Sequence, residues 1–202
     1  MAELYLALLH HPVLDKNGQV VTTAVTNMDI HDIARSARTY GVRAFYVVTP
    51  VKALQVLAAK IMEHWQTGFG STYNVTRKDA LSVVRLERDL DGVLLHLERE
   101  TGVRPRLVAT SARSGADRVS FAALRNHLSV SPDPHLIVLG TGWGLAPAVT
   151  ERADLMLEPI HGPTDYNHLS VRSAAAVILD RLRGAGYEGR SSGKSQSCEV
   201  AP

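Results

Sequence analysis

The chain has 202 residues, 45% hydrophobic and 21% charged, with a formal net charge of +2. This composition suits one domain with a sizeable core, and the near-balanced charge neither demands nor excludes a nucleic-acid partner. The single cysteine, Cys198, excludes an internal disulfide, and no apolar stretch reaches the roughly 18 to 20 residues that span a bilayer, so a cytoplasmic protein without a membrane partner is expected.

The run LYLALLHH (4–11) is continuously apolar up to its histidines, the mark of a strand buried on both faces. Residues 12–26 read as a long loop or small β excursion with a turn at Asn17-Gly18. A helix follows over 28–42, with Ile30, Ile33, Ala34 and Ala37 on one face and Gly41 at its end. AFYVVTP (44–50) is a second strand, 52–68 a second helix, and FGSTYN (69–74) a loop of glycine, aromatics and hydroxyls. A long helix is expected over 77–101, bent near Gly92. Strands at 105–112, 135–140 and 154–160 alternate with helices at SFAALRNHL and LAPAVTERA, and a closing helix spans 166–184. One domain over 1–188 and a disordered, aperiodic tail over 189–202 complete the division.

Strand and helix alternating five times specify an α/β fold, a mostly parallel sheet with helices on both faces. Such sheets bind ligands at the carboxyl ends of their strands. Two glycine-bearing loops, VLGTGWGLAP and EPIHGPTDYNHL, leave strands at that end and can line one pocket. GTGWG is not a dinucleotide fingerprint: its third glycine comes one position early, it follows the fourth strand, and Glu158 is the nearest acid to the required spacing. No phosphate-binding G-x-x-x-x-G-K-[ST] occurs, and nine histidines with one tail cysteine show no metal-ligand spacing, so no metal is expected.

The stretch LIVLGTGWGLAPAVTERADLMLEPIHGPTDYNHLSVRSAAAVIL resembles the C-terminal half of the α/β-knot, or SPOUT, methyltransferases. Pro159 and Gly162 match that family's "IPMxG" strand end, and Ser170 its helix-start serine. DIHDIARSARTYGVRAFYVV is similar to the "NxGxxxRTAxxFGxxxxxxV" of the SpoU-like branch, with Arg35 on its functional arginine. Asp29 and His31 replace that branch's Asn and Gly, and Tyr166-Asn167-His168 replaces Ser-Leu-Asn, so its 2′-O-ribose chemistry does not carry over. The segment FGSTYNVTRKDAL lies outside the general pattern, and the chain looks closest to a small bacterial group of predicted knotted RNA methyltransferases that carry it.

The resemblance implies a deep C-terminal trefoil knot, a homodimer with active sites near the subunit interface, S-adenosylmethionine as cofactor and RNA (tRNA or rRNA) as substrate. It places the cofactor against Thr110 and Ser111 after the third strand, and against Gly140, Thr141, Gly142, Gly144 and Leu145 after the fourth. Ile160, Gly162, Asn167, Leu169 and Ser170 complete the lining. Arg35, Asp165 and His168 are the catalytic candidates, with His31 and Asp29 behind them. Each has an ordinary reading: Arg35 as a surface ion-pair partner, His168 as a helix cap, Asp165 as a helix-start acid favoured by the dipole. Trp143 either packs in the core or covers the pocket. FGSTYNVTRK either stacks and grips RNA or is a solvated helix entry, and Arg113 and Arg118 offer a phosphate-binding rim. The competing function is a non-catalytic RNA-binding or ribosome-associated protein that keeps the fold.

Overall fold

The computed structural model describes residues 2–185. The chain opens with β1 (Leu4–Leu9), wholly buried, and a small antiparallel hairpin, β2 (Val13–Leu14) and β3 (Val20–Val21), which is the expected β excursion. α1 (Asn27–Thr39) is capped by Thr26, whose hydroxyl accepts from the Asp29 N–H, and buries Ile30, Ile33, Ala34 and Ala37 along one face. β4 (Phe45–Val48), α2 (Lys52–Gln66), α3 (Gly70–Tyr73), α4 (Val75–Leu81), β5 (Val84–Glu87) and α5 (Leu90–Thr101) follow. The second half runs through β6 (Arg106–Ala109), β7 (Arg118–Val119), α6 (Phe121–Val130), β8 (His135–Gly140), α7 (Pro147–Thr150), β9 (Leu155–Leu157) and α8 (Val171–Arg183).

Seven strands form one sheet in the order β5-β4-β1-β8-β6-β9-β7, parallel at every pairing. Side chains alternate through it, so two cores form. Leu4, Leu6, Leu8, Phe45, Val47, Val108 and Ile137 meet α1, α6 and α8 on one face, with α2 and α4 at its β5 side. Tyr5, Ala7, Leu9, Tyr46, Val48 and Val138 meet Val93, Leu94 and Leu97 of α5 and Val149 of α7 on the other. Helices on both faces are what an all-parallel sheet needs to bury its strands. β8 enters between β1 and β6, and α8 packs back against α1 and α6.

The expected helix over 77–101 is instead α4, β5 and α5. Asp89 starts a fresh helix by accepting the Gly92 N–H at 2.8 Å, so Gly92 sits in a first turn and bends nothing. β5 pairs only with β4, and with Val84 buried and Arg85 exposed its four residues show little apolar run. Set among Arg, Leu and Glu, such an edge strand reads as helix. The expected loop at 69–74 contains α3, and β7 is a further two-residue strand. The closing helix begins at Val171, where Ser170 caps it by accepting the Ser173 N–H, which leaves 161–169 as loop. The tail at 189–202, Cys198 and the last residues of the 1–188 domain lie outside the described residues.

Candidate active site

The glycine loop is fixed from both ends before any ligand is considered. Gly140 closes β8 opposite Leu9 of β1. The next residue, Thr141, donates its hydroxyl to Leu9 O at 3.1 Å and lies 2.5 Å from the Thr23 hydroxyl, which in turn meets His10 Nδ1 at 3.2 Å. The β2–β3 hairpin grips the middle of the loop: Trp143 N–H donates to Leu14 O, Leu14 N–H to Gly144 O, and Ala146 N–H to Pro12 O. A Cβ at Gly142 (φ 61°) would stand 2.9 Å from Leu14 O, and Gly144 holds φ 109°, where L side chains are strained. Leu145, expected in the lining, is buried at 7% exposure and anchors the loop to the α5-side core instead.

Two further loops close on this one at the carboxyl ends of β6 and β9. Thr110 returns both its N–H and its hydroxyl to Val138 O, and the Asn167 amide donates to Ala112 O at 2.7 Å, stapling the loop before α8 to the loop after β6. Between the three loops lies a cleft of about 680 Å³, within the usual range for small-molecule sites. Thr110, Ser111, Gly140, Thr141, Gly142, Gly144, Ile160, Asn167, Leu169 and Ser170 line it as expected; Leu145 and Gly162 do not. Leu139, Ile160, Val171, Ala174 and Ile178 give it an apolar side, and the hydroxyls and amide a polar one. A Cβ on Gly144 would meet nothing within 4 Å, so the loop presents bare backbone to open space. An apolar slot edged by fixed backbone groups suits a nucleoside-bearing cofactor.

The catalytic candidates separate. His168 lines the cleft; Asp165 precedes it in the same loop without lining it, and Arg35 lines a second cleft between α1 and α4. Ala24, Arg113, Glu158 and Asp29 also line the first cleft. Asp29 is only 5% exposed; its carboxylate takes the Thr26 hydroxyl at 2.6 Å and Arg172 Nη1 at 3.0 Å, tying the start of α1 to the start of α8. Glu158 is held by the Phe121 N–H at 2.7 Å. Asp29 was among the secondary catalytic candidates of the sequence, whereas no sequence signal marked Ala24 or Glu158 as lining. His10, fully buried behind the loop, is pushed below its ordinary pKa by burial, which the Asp29 carboxylate partly opposes. Trp143 is 57% exposed, so its core reading does not hold, and Tyr166 and Leu169 are exposed in the loop opposite. Among the described residues no three His, Cys, Asp or Glu side chains gather as a metal site, and no helix is long and apolar enough to cross a membrane.

Known proteins resemble this chain in sequence and in fold. Residues 3–184 match the model of a family described as SAM-dependent RNA methyltransferase. An uncharacterised protein of Aquifex aeolicus is 43% identical over 179 residues, 89% of this chain and 87% of that one. A tRNA (guanine-N(1)-)-methyltransferase of Nitratidesulfovibrio vulgaris is 44% identical over 184 residues, 91% of this chain but 43% of that protein, so the chain spans less than half the length of this relative. In structure, a putative methylase family protein from Neisseria gonorrhoeae superposes with a TM-score of 0.62 at 16% identity, covering 92% of this chain and 83% of that one, a likeness of fold.

Proposed function

The chain belongs to this family of S-adenosylmethionine-dependent RNA methyltransferases, and we propose that the three-loop cleft holds the cofactor while the loop bearing Asp165 and His168 receives the acceptor nucleotide. The observation that carries the assignment is the bare backbone of the 140–144 loop facing an apolar slot at the carboxyl ends of β6, β8 and β9. The adenosine lies against Leu139, Ile160, Val171, Ala174 and Ile178, with Thr110, Ser111, Asn167 and Ser170 at its polar edge.

The cofactor supplies an activated methyl group whose sulfur keeps the bonding electron pair, so the protein's task is to place an acceptor and remove its proton. His168 is the group in the lining that can take that proton on a ring nitrogen. Asp165, three residues earlier, orients the acceptor, and Arg35 holds RNA from its separate cleft. tRNA is the first substrate to try, because the long relative bears a tRNA methyltransferase's name. Its additional length leaves the guanine N1 position a question for the whole of that protein.

A deep knot accompanies this reading. Its support is the entry of β8 between β1 and β6, of β9 between β6 and β7, and the return of α8 against α1. Single-molecule stretching tests it, since a knotted chain pulls out shorter than the roughly 3.3–3.6 Å per residue of a free one. Exposed Trp143, Tyr166 and Leu169 suit a homodimer that covers the cleft mouth, which light scattering measures. A cytoplasmic site of action fits an RNA substrate.

The deciding experiment titrates the protein with S-adenosylmethionine by calorimetry, then follows labelled methyl transfer to purified tRNA and rRNA in wild type and His168→Ala. Cofactor binding with transfer that His168→Ala loses supports the assignment. Cofactor binding without transfer to either RNA favours the non-catalytic RNA-binding alternative.

A further inference from the structure

Outside the cofactor cleft, the segment that departs from the general family pattern builds a second one. Arg35 and Arg38 of α1 face Asn74, Thr76 and Arg77 at the start of α4 across a space of about 450 Å³. Three guanidiniums stand there against one carboxylate, Asp79, which Arg38 already occupies at 2.9 Å. Arg35 is exposed and has no ion pair or hydrogen bond among the described residues. Arg77 lies over the Trp65 ring at 4.5 Å, which holds its planar fork in place without neutralising it.

The same indole braces a second feature. Trp65 packs so closely on Gly70 that a Cβ there would meet the ring at 2.6 Å, which seats α3 against α2. α3 carries Phe69 and Tyr73 at its two ends, stacked with centroids 6.0 Å apart and planes 23° from parallel, and both rings are three-quarters exposed. Burying neither ring against this chain forgoes the usual gain for large apolar groups. Tyr73 leads directly into Asn74 at the edge of the arginine cleft. Exposed aromatic faces beside a free guanidinium at Arg35 and a ring-held one at Arg77 are the elements that grip a single-stranded nucleic acid: rings stack on bases and forks take phosphates.

We propose that the α1–α4 cleft and the Phe69–Tyr73 platform form a docking site for a single-stranded segment of the RNA substrate, distinct from the cofactor cleft. The site rests on the chain acting on RNA. Arg35 and Arg77 bind backbone phosphates, and an unpaired base stacks on the platform. Arg35 lies six residues beyond Asp29 on α1, about 9 Å along the axis, so the helix carries the cofactor cleft near its start and the docking cleft further on.

The test measures fluorescence anisotropy of labelled oligouridylate and of labelled bulk tRNA with wild type, Arg35→Ala, Arg77→Ala and the double variant Phe69→Ala/Tyr73→Ala. Arg99→Ala, at an exposed position of α5 across the sheet, controls for net charge. Each cleft variant weakens RNA binding about tenfold, Arg99→Ala changes it little, and each arginine variant lowers the salt slope by about 0.7, one phosphate's share for a single strand. Cofactor affinity by calorimetry and melting temperature, read on the same samples, separate a lost docking contact from a damaged fold. Arg35→Ala removes no internal partner and keeps the test decisive if Arg77→Ala unfolds. Wild-type RNA affinity in folded Arg35→Ala and in the aromatic double variant overturns the site. So does displacement of the RNA by polyglutamate at equal charge concentration, which assigns the cleft to acidic protein. If the cofactor fails to bind while the RNA effects stand, the cofactor assignment falls and the docking site remains. If methyl transfer is found but the variants bind RNA as wild type does, the docking site alone falls.

Discussion

The cofactor cleft and the arginine cleft are built from opposite materials. The first is made of backbone: loops whose N–H and C=O groups are engaged with β1, the β2–β3 hairpin and each other, with glycines where a Cβ has no room or the backbone turns left-handed. The second is made mostly of long side chains standing off two helices, tied into the fold there by the Asn74 cap of α4 and the Arg38–Asp79 pair. A shape fixed by backbone changes abruptly under substitution, because its contacts cannot yield. A shape fixed by long side chains loses charge or stacking and leaves the scaffold standing. The two clefts therefore differ in how mutations divide between stability and binding.

Gly140→Val tests the brittle side and has the largest expected effect. The residue lines the cleft, but its Cβ would point at Leu145, 2.8 Å from the backbone nitrogen and 3.0 Å from the side chain. The valine displaces the loop from below rather than filling the adenosine site. Overpacking of this kind costs about 1 to 3 kcal/mol, and cofactor affinity falls with stability. Calorimetric titration and urea unfolding on the same samples check this. Full stability with lost binding returns the effect to simple pocket filling, and full binding removes the 140–145 loop from the site.

Asp29→Ala comes next. It removes a nearly buried carboxylate from Arg172, which is 29% exposed and retains Asp32 at 3.5 Å. Breaking a buried pair costs roughly 3 to 5 kcal/mol, and partial exposure with a second acid reduces this to about 2 kcal/mol. Because the pair joins the start of α1 to the start of α8, cofactor binding weakens too. A double-mutant cycle with Arg172→Ala measures the coupling. Additive losses mean the pair does not hold the cleft together.

This contrast also explains what the sequence disclosed. Continuous apolar runs such as LYLALL and HLIVLG announce buried parallel strands, and glycine loops at strand ends announce a pocket, because both are local patterns imposed by burial and backbone. Most of the lining of the three-loop cleft was legible for that reason. Leu145 was misassigned because its direction depends on a bridge to Val13, over 130 positions away. Asp29 and Glu158 are held at the cleft by partners 143 and 37 positions away, Arg172 and Phe121. β5 failed as an edge strand with hardly any periodicity, and Arg35 could be placed only once α4 was known to exist beside α1.

A smaller effect concerns the support of the glycine loop. His10 is buried and its pKa is lowered by desolvation, so the folded protein resists its protonation while the unfolded chain binds a proton near pH 6.5. Stability is therefore full above that value and falls as pH drops through it. For one such site the loss between pH 7 and 6 reaches at most about 0.7 kcal/mol. His31 and His135 shift the same way by burial, with the Arg77 charge adding to the effect at His31. His10→Gln should remove one site's share of the slope in urea unfolding at the two pH values. An unchanged slope shows that His10 is already solvated when folded.

Arg35→Ala has the smallest effect on stability, and that smallness is what the comparison requires. Its guanidinium is exposed and holds no partner among the described residues, so truncation leaves no buried group unsatisfied. Surface changes of this kind stay within about 0.5 kcal/mol, and alanine's higher helix propensity favours α1 slightly. Removing a positive charge near Arg77 and His31 also relieves repulsion, since both arginines disfavour the His31 imidazolium. Thermal melts of wild type and variant should nearly coincide, while RNA affinity falls. A melting temperature lowered by several degrees instead makes Arg35 part of the α1–α4 packing. The second cleft would then be as brittle as the first, and the contrast between backbone-built and side-chain-built sites would fail where it is most exposed.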